Sequence, residues 1–374
     1  MIVQRLASWQ EAAALGETWN RLAGGVPFRS WQWLGTWWRH FGSGRNWFAL
    51  AVYDQQGDVK GIAPWFVEHV PAFGRVVQWL GTGEVCSDHL SILCAPHDGN
   101  AVTAALAEWL MKAGHPDGAG EWDMMTIDCL SKSDRNVGQL LTNLENRGCS
   151  IHRQEDLNTW YLPLPASWEE YRSSLSKPNR RHVKQLQDRL IDAGKVEIRV
   201  VETDEEFLRV WPVFVDLHQR RQQSLGNAGC FASPSFASFL REAAEVLFAL
   251  GQLELLWVER DGVPMGAHLA FVGGGVKYAY QSGINPEMLA DSPGWLIHTQ
   301  SIKRAIESGN SGFDFLRGDE SYKHRFGSKP QATVSVRVAP PRLGPVMLHK
   351  AWVTGNTVKN WIKAGLQKTG VRPK

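Results

Sequence analysis

"FALAVYDQQGDVKGIAPWFV", residues 48–67, has a near-copy further along the chain in "LELLWVERDGVPMGAHLAFV", residues 253–272. Each stretch is an apolar strand, a polar turn closed by glycine (Gly57, Gly262), a second glycine four residues on (Gly61, Gly266) and another apolar strand. That is the pattern of a β-hairpin. The likeness extends into the segments after each hairpin. Beyond the first, "HLSILC" (89–94) reads as a strand, about 99–113 as a helix and "WDMMTIDCL" (122–130) as a strand. Beyond the second come "VKYAYQSG" (276–283), a helix over about 294–308 and "GFDFLRG" (312–318). In that second helix Trp295, Ile302, Ala305 and Ile306 share one face at helical spacing. Two homologous α/β units in tandem account for the whole pattern, and the boundary falls near "YLPLPAS" (161–167), where prolines separate the two patterns.

The second unit opens on a basic helix, "SKPNRRHVKQL", with Pro178 suited to its first turn. Val183, Leu186 and Leu190 form an apolar stripe, with Lys177, Arg180, Arg181, Lys184 and Arg189 around it. A strand "VEIRVV" and a long helix "DEEFLRVWPVFVDLHQRRQQ" come next.

Composition agrees with a folded protein. The chain has 374 residues, 43% hydrophobic and 21% charged, enough for two domains with sizeable cores. A net charge of +2 implies no general affinity for polyanions, and DNA is not an expected partner. Four of the eighteen tryptophans crowd into "WQWLGTWW" (31–38), which reads as a helix facing an aromatic core. The five cysteines are scattered without a CxxC pair, which argues against a disulfide framework or a zinc site and for a reducing compartment. The N-terminus has no apolar leader and no apolar run reaches membrane-spanning length, so a cytoplasmic location is expected.

The order β–α–α–hairpin–β–α–β resembles the GNAT acyltransferase fold, and its duplication behind a basic "KPNRRHVK" (177–184) resembles the FemAB-type tandem arrangement. "FRSWQWLGTWWRHFG" (28–42), "GTGEVCSDHL" (81–90), "LHQRR" (217–221) and "FDFLRGDESYKHRFG" (313–327) resemble the CelD-like, cellulose-biosynthesis-associated acetyltransferases, over roughly residues 15–335. The expected fold class is therefore α/β, with two tandem GNAT-like units, each a mixed central sheet flanked by helices. Residues 1–162 form the first unit, 163–338 the second and catalytic one, and 339–374 a basic tail.

The resemblance implies acyl transfer from acetyl-CoA or another acyl-CoA to an amine or hydroxyl of a small-molecule or glycan precursor, for the cell envelope or a polysaccharide, without a metal. GNAT enzymes hold the CoA pyrophosphate on a Q/R-x-x-G-x-G/A loop. Here the matching place reads "EMLADSPGWLIH" (287–298), which leaves Ser292, Gly294 and Trp295 to bind the donor, with Asp291 opposing a phosphate or capping the helix. That departure keeps open an aminoacyl-tRNA donor, as in FemAB-type proteins, or a scaffold that has lost donor binding. A splayed gap between strands four and five of one unit would favour CoA, a continuous positive groove tRNA, and a filled cleft the scaffold.

Amine acylation needs a base for the amine proton and an acid for the leaving group. Asp319 or Glu320 is the expected base, Tyr322 the acid, and Arg317 and Lys323 the anion-binding residues. Tyr280 and Gln281 end the strand where GNAT enzymes place the acyl group. Asp88 and His89 are expected as substrate contacts across the cleft between units. Their neighbour Ser87 does not make a hydrolase triad with them, because triad members meet in space rather than along an extended chain. Arg181 is a candidate for carrier phosphates. His268 reads as a satisfied strand histidine. The tail, with Lys350, Lys359, Lys363, Lys368, Arg372 and Lys374 around Trp352 and Trp361, is a candidate for peripheral membrane contact or simple packing.

Overall fold

The computed structural model describes residues 1–71, 73–113 and 122–347. Most of the basic tail, and with it the expected membrane contact, lies outside the described residues.

In chain order the first half comprises β1 (Ile2–Arg5), α1 (Trp9–Ala14), α2 (Gly16–Leu22), α3 (Trp31–Phe41), β2 (Asn46–Trp47), β3 (Leu50–Tyr53), β4 (Val59–Ala63), β5 (Trp65–Val70), β6 (Gly74–Trp79), β7 (Leu93–Cys94), α4 (Gly99–Ala113), β8 (Met124–Ser131), α5 (Arg135–Glu145), β9 (Ser150–Glu155) and β10 (Thr159–Pro163). The second half comprises α6 (Trp168–Ser174), α7 (Lys177–Leu186), β11 (Glu197–Val200), α8 (Asp204–Ser224), α9 (Pro234–Ala249), β12 (Leu253–Arg260), β13 (Val263–Gly273), β14 (Val276–Ile284), α10 (Pro293–Glu307), β15 (Gly312–Arg317), β16 (Lys329–Gln331) and β17 (Thr333–Ala339). Local chemistry sets many helix starts. The side chains of Ser30, Asp134, Ser167 and Thr203 accept from the backbone N–H three residues on, and Pro178, Pro234 and Pro293 occupy first turns.

Two tandem GNAT-like α/β units result. The second unit's sheet runs β11-β12-β13-β14-β15-β10-β16, and the first unit's strands form sheets β1-β3-β4-β7 and β2-β5-β6-β8-β17-β9. The split in the first unit has a local cause. Pro64, which lacks a ladder donor, separates β4 from β5, whereas β13 runs through the corresponding position with only a register shift at Leu269/Ala270. The first-unit strand parallel to β8 is β6, just as β14 is parallel to β15. The strand expected over "HLSILC" is thus confined to Leu93–Cys94; Ser87 to Ile92 run as irregular chain carrying residues to the interface.

The units exchange strands. β10 lies in the second unit's sheet between β15 and β16, and β17 lies in the first unit's sheet between β8 and β9. A boundary at 162/163 would therefore cut β10, and β17 belongs to the sheet of the opposite half. The core is shared as well. Trp19, Phe28, Trp33 and Trp37 of the first unit belong to one buried cluster with Phe214, Phe239, Trp257 and Phe271 of the second. The tryptophan-rich α3 is the centre of this joint, with Trp33 edge-on to Phe239, Phe271 and Tyr280. Backbones also meet directly. A Cβ on Gly273 would collide with the Gly25 carbonyl oxygen, and Gly25 itself has φ +78.

Candidate functional site

β14 and β15 pair in parallel from Val276↔Gly312 to Tyr278↔Asp314, and then part. β14 continues to Ile284 and β15 to Arg317. A cavity of about 720 Å³ opens between them, lined by both strands, by Gly294, Trp295 and His298 of α10, and by Glu84, Cys86 and Asp88 of the first unit. Past Tyr278 the edge of β14 that faces β15 has no strand partner, so alternate backbone N–H and C=O groups point into the opening.

The far wall is shaped by a kink at the end of β15. Leu316 has φ 59, unusual for a branched aliphatic residue. Buried Asp314 stabilises it by accepting the Leu316 N–H at 2.7 Å. Lys323 completes the turn. Its Nζ donates to the carbonyls of Leu316 (3.0 Å) and Arg317 (2.7 Å) and pairs with Glu320 Oε2 at 3.0 Å. Two carbonyl hydrogen bonds and an ion pair engage the ammonium and the residue is 2% exposed, so Lys323 acts as an internal strut of the cavity wall where an anion-binding contact was expected.

Arg317 is tied to the first unit. Its Nε donates to Asp88 Oδ1 at 2.5 Å, its backbone N–H to Asp88 Oδ2 at 2.7 Å, and its guanidinium also reaches the Ser87 carbonyl at 3.3 Å. Burial opposes the Arg317 charge, but Asp88 outweighs it and raises the guanidinium pKa further. His89 is bound similarly, with Nε2 2.9 Å from Asp314 Oδ2. Burial would lower the His89 pKa, but the hydrogen bond and charge of Asp314 raise it. Asp88 and His89 do reach across the cleft, yet what they grip is the other unit. Asp88 lines the cavity and His89 does not.

The other expected residues divide. Glu320, Tyr322, Tyr280, Gln281, Gly294 and Trp295 all line the cavity. Tyr280 donates its hydroxyl to the Val85 carbonyl at 2.9 Å, and burial holds its pKa well above the ordinary value. Asp319 is not among the lining residues. Its Oδ1 accepts from Asn158 Nδ2 (2.9 Å) and Trp160 Nε1 (3.0 Å), and these bonds depress its pKa. Arg181 is exposed and Ser292 half-buried, and neither lines the cavity.

Among the lining residues outside the expected set are Arg325, His268 and His298. Arg325 is exposed at the rim, with no carboxylate partner among the described residues. His268, expected to be satisfied within its strand, has both ring nitrogens buried without a hydrogen-bond partner among the described residues. His298 is likewise buried, with Nδ1 unpartnered and its ring stacked on Tyr322 at 5.5 Å. Burial lowers both imidazole pKa values, that of His298 to about 4. The signal for His298 was present in its spacing, four residues after Gly294 and three after Trp295 on one helical face.

The start of α10 was the expected diphosphate site. Pro293 has no N–H, and the N–H groups of Trp295 and Leu296 both bond to the Ser292 carbonyl, so that Gly294 carries the N–H of that turn without a partner among the described residues. Asp291 is neither a cap nor a bare charge, because Arg260 (2.6 Å) and Arg189 (3.2 Å) hold it. The start of α10 therefore offers little of a diphosphate cradle. Among the described residues no group of three or more metal-ligating side chains could hold a metal, and no helix is long and apolar enough to cross a membrane.

No curated protein sequence matches the chain. Several solved structures share its fold. The crystal structure of FemX superposes with a TM-score of 0.65 at 14% identity, covering 93% of this chain and 99% of FemX. A conserved protein of unknown function from Bacteroides thetaiotaomicron VPI-5482 gives 0.55 at 11%, covering 90% and 100%. The C-terminal domain of a protein described as a lysylphosphatidylglycerol synthetase, from Agrobacterium fabrum, gives 0.52 at 9%, covering 91% and 96%. Within the second unit, residues 177–324 match the acetyltransferase (GNAT) domain family.

Proposed function

We propose that the protein is an acyltransferase that moves an acyl group from acyl-CoA to an amine or hydroxyl of a cell-envelope or polysaccharide precursor. The observation that carries this reading is the parting of β14 and β15 after Tyr278 and Asp314 into a cavity lined both by α10 and by the first unit. The face packed by α10 takes the donor. The face turned to the first unit, with Glu84, Cys86 and Asp88, takes the acceptor. Unpaired amides on the edge of β14 are placed to bond the acyl carbonyl. Glu320 accepts the nucleophile's proton as the new C–N or C–O bond forms and the C–S bond breaks, and Tyr322 protonates the departing thiolate. Asp319, bonded to Asn158 and Trp160, positions the turn that presents them. Arg325, with the nearby basic start of α7, offers positive charge to the donor's phosphates. The open cavity speaks against a scaffold role. The envelope acceptor is supported by the resemblance and by a fold shared with a protein described as making lysylphosphatidylglycerol.

A second reading, an aminoacyl-tRNA donor, is favoured by the single free N–H at the start of α10. Calorimetric titration separates the two. Micromolar binding of acetyl-CoA, weakened by Gly294→Asp, supports the acyl-CoA donor. Absence of binding to any acyl-CoA, with binding of charged tRNA, overturns it.

A further inference from the structure

The inner end of the cavity holds two imidazoles that the acyl-transfer mechanism does not use. His268 points from β13 and His298 from α10, their rings nearly perpendicular (79°) with centroids 5.0 Å apart. They are 1% and 6% exposed. Three of their four ring nitrogens are buried without a partner among the described residues. Around them the walls are aromatic, with Phe313 stacked on His268 and Phe315, Tyr322 and Phe326 about His298. Buried polar atoms in native proteins are normally hydrogen-bonded, and an exception in a cavity wall marks a place where something else supplies the bond. A site built to bond a polar group also rejects an analogue that lacks it, since the unpaired wall atoms then stay unpaired.

The state of the rings sets the chemistry of the missing partner. Both are held neutral by burial, so each presents one N–H donor and one lone pair. The matching group donates once and accepts once, as a hydroxyl does. An ammonium has donors only, and the ammonium groups of Lys277 and Lys323 add positive charge at this end. A bare acetyl methyl leaves every nitrogen unpaired. The face is that of the donor, because His298 continues the helical face of Gly294 and Trp295 at the start of α10.

We infer that the transferred acyl group carries a hydroxyl on its chain, held between His268 and His298 at the inner end of the cavity. This rests on the acyl-CoA reading of the donor. The test is calorimetric titration of the wild-type protein with matched pairs, propionyl-CoA against lactoyl-CoA and butyryl-CoA against 3-hydroxybutyryl-CoA, with free CoA, succinyl-CoA and alanyl-CoA alongside. The expected result is at least tenfold tighter binding of one hydroxyacyl-CoA than of its plain partner, with that advantage lost in His268→Phe while the plain acyl-CoA still binds. Retained binding of the plain acyl-CoA also shows that the variant is folded. Equal affinity within both pairs overturns the inference and leaves the acyl-CoA donor standing, as does tightest binding of succinyl-CoA or alanyl-CoA. Failure of every acyl-CoA to bind overturns the donor reading and this inference together.

Discussion

Arg317, at the end of β15, and Asp88, from the irregular chain of the other unit, are joined by both a side-chain and a backbone hydrogen bond to one buried carboxylate. The pair is therefore a latch between units as well as a wall of the cavity. Removing one partner strands the other's charge, which typically costs about 3–5 kcal/mol. Arg317→Ala and Asp88→Ala are each expected to destabilise by that order, and the double variant by less than the sum. Denaturant midpoints in a double-mutant cycle check this.

Exchange of β10 and β17 and the shared core make the units interdependent. A single cooperative unfolding transition is expected by both circular dichroism and tryptophan fluorescence. Residues 1–162 and 163–338 produced separately should each fail to fold, because each lacks a strand of its own sheet that the other half carries. Two resolved transitions, or a folded fragment, would contradict this.

The close approach of Gly25 and Gly273 leaves no room for a methyl group. Gly273→Ala is expected to cost about 1–3 kcal/mol through overpacking and to shift the units apart. A lower thermal midpoint together with weaker ligand binding at the cavity is the outcome to look for.

If Glu320 and Tyr322 move protons, Glu320→Gln and Tyr322→Phe should each lower kcat by about 100-fold or more with little change in donor affinity. Asp319→Asn, away from the cavity, should be much milder. A thiol-release assay with an accepted donor and acceptor measures all three.

His298 also gives the fold a pH dependence. Its folded pKa, about 4, lies below the ordinary histidine value of 6.5, so the unfolded chain binds this proton first as pH falls. Its contribution is complete above about 6.5 and is lost progressively toward pH 4. His298→Gln is expected to flatten the fall in stability across that window, as read from urea midpoints at each pH.

The hairpin copies and the periodic helices were legible because they are local. The helix over 99–113 has the expected bounds, and α10 begins and ends within a residue of expectation. Strand exchange was not legible, since nothing in "TWYLP" or "TVSVRVA" says which sheet it will join; long-range pairing decides that. In the site, the motif after β15 located the cavity wall but not the roles. Lys323 sits in a run of charged residues that looks solvated, and only the left-handed turn at Leu316 brings two carbonyls to its ammonium. His298 lay hidden in an apolar helical face, and His268 between Ala267 and Leu269 looked like ordinary core. An unpaired nitrogen is a property of the assembled surroundings, which sequence does not display.

Strand exchange also bears on how the chain is made. β8 and β9 leave the ribosome early, but the strand that belongs between them, β17, is synthesised about 180 residues later. At about 5–20 residues per second, the nascent first unit waits about 10–40 seconds with a strand-wide gap in its sheet. During translation that gap is an open invitation to a neighbouring nascent chain, and its filling by β17 is the step that commits the polypeptide to one folded molecule.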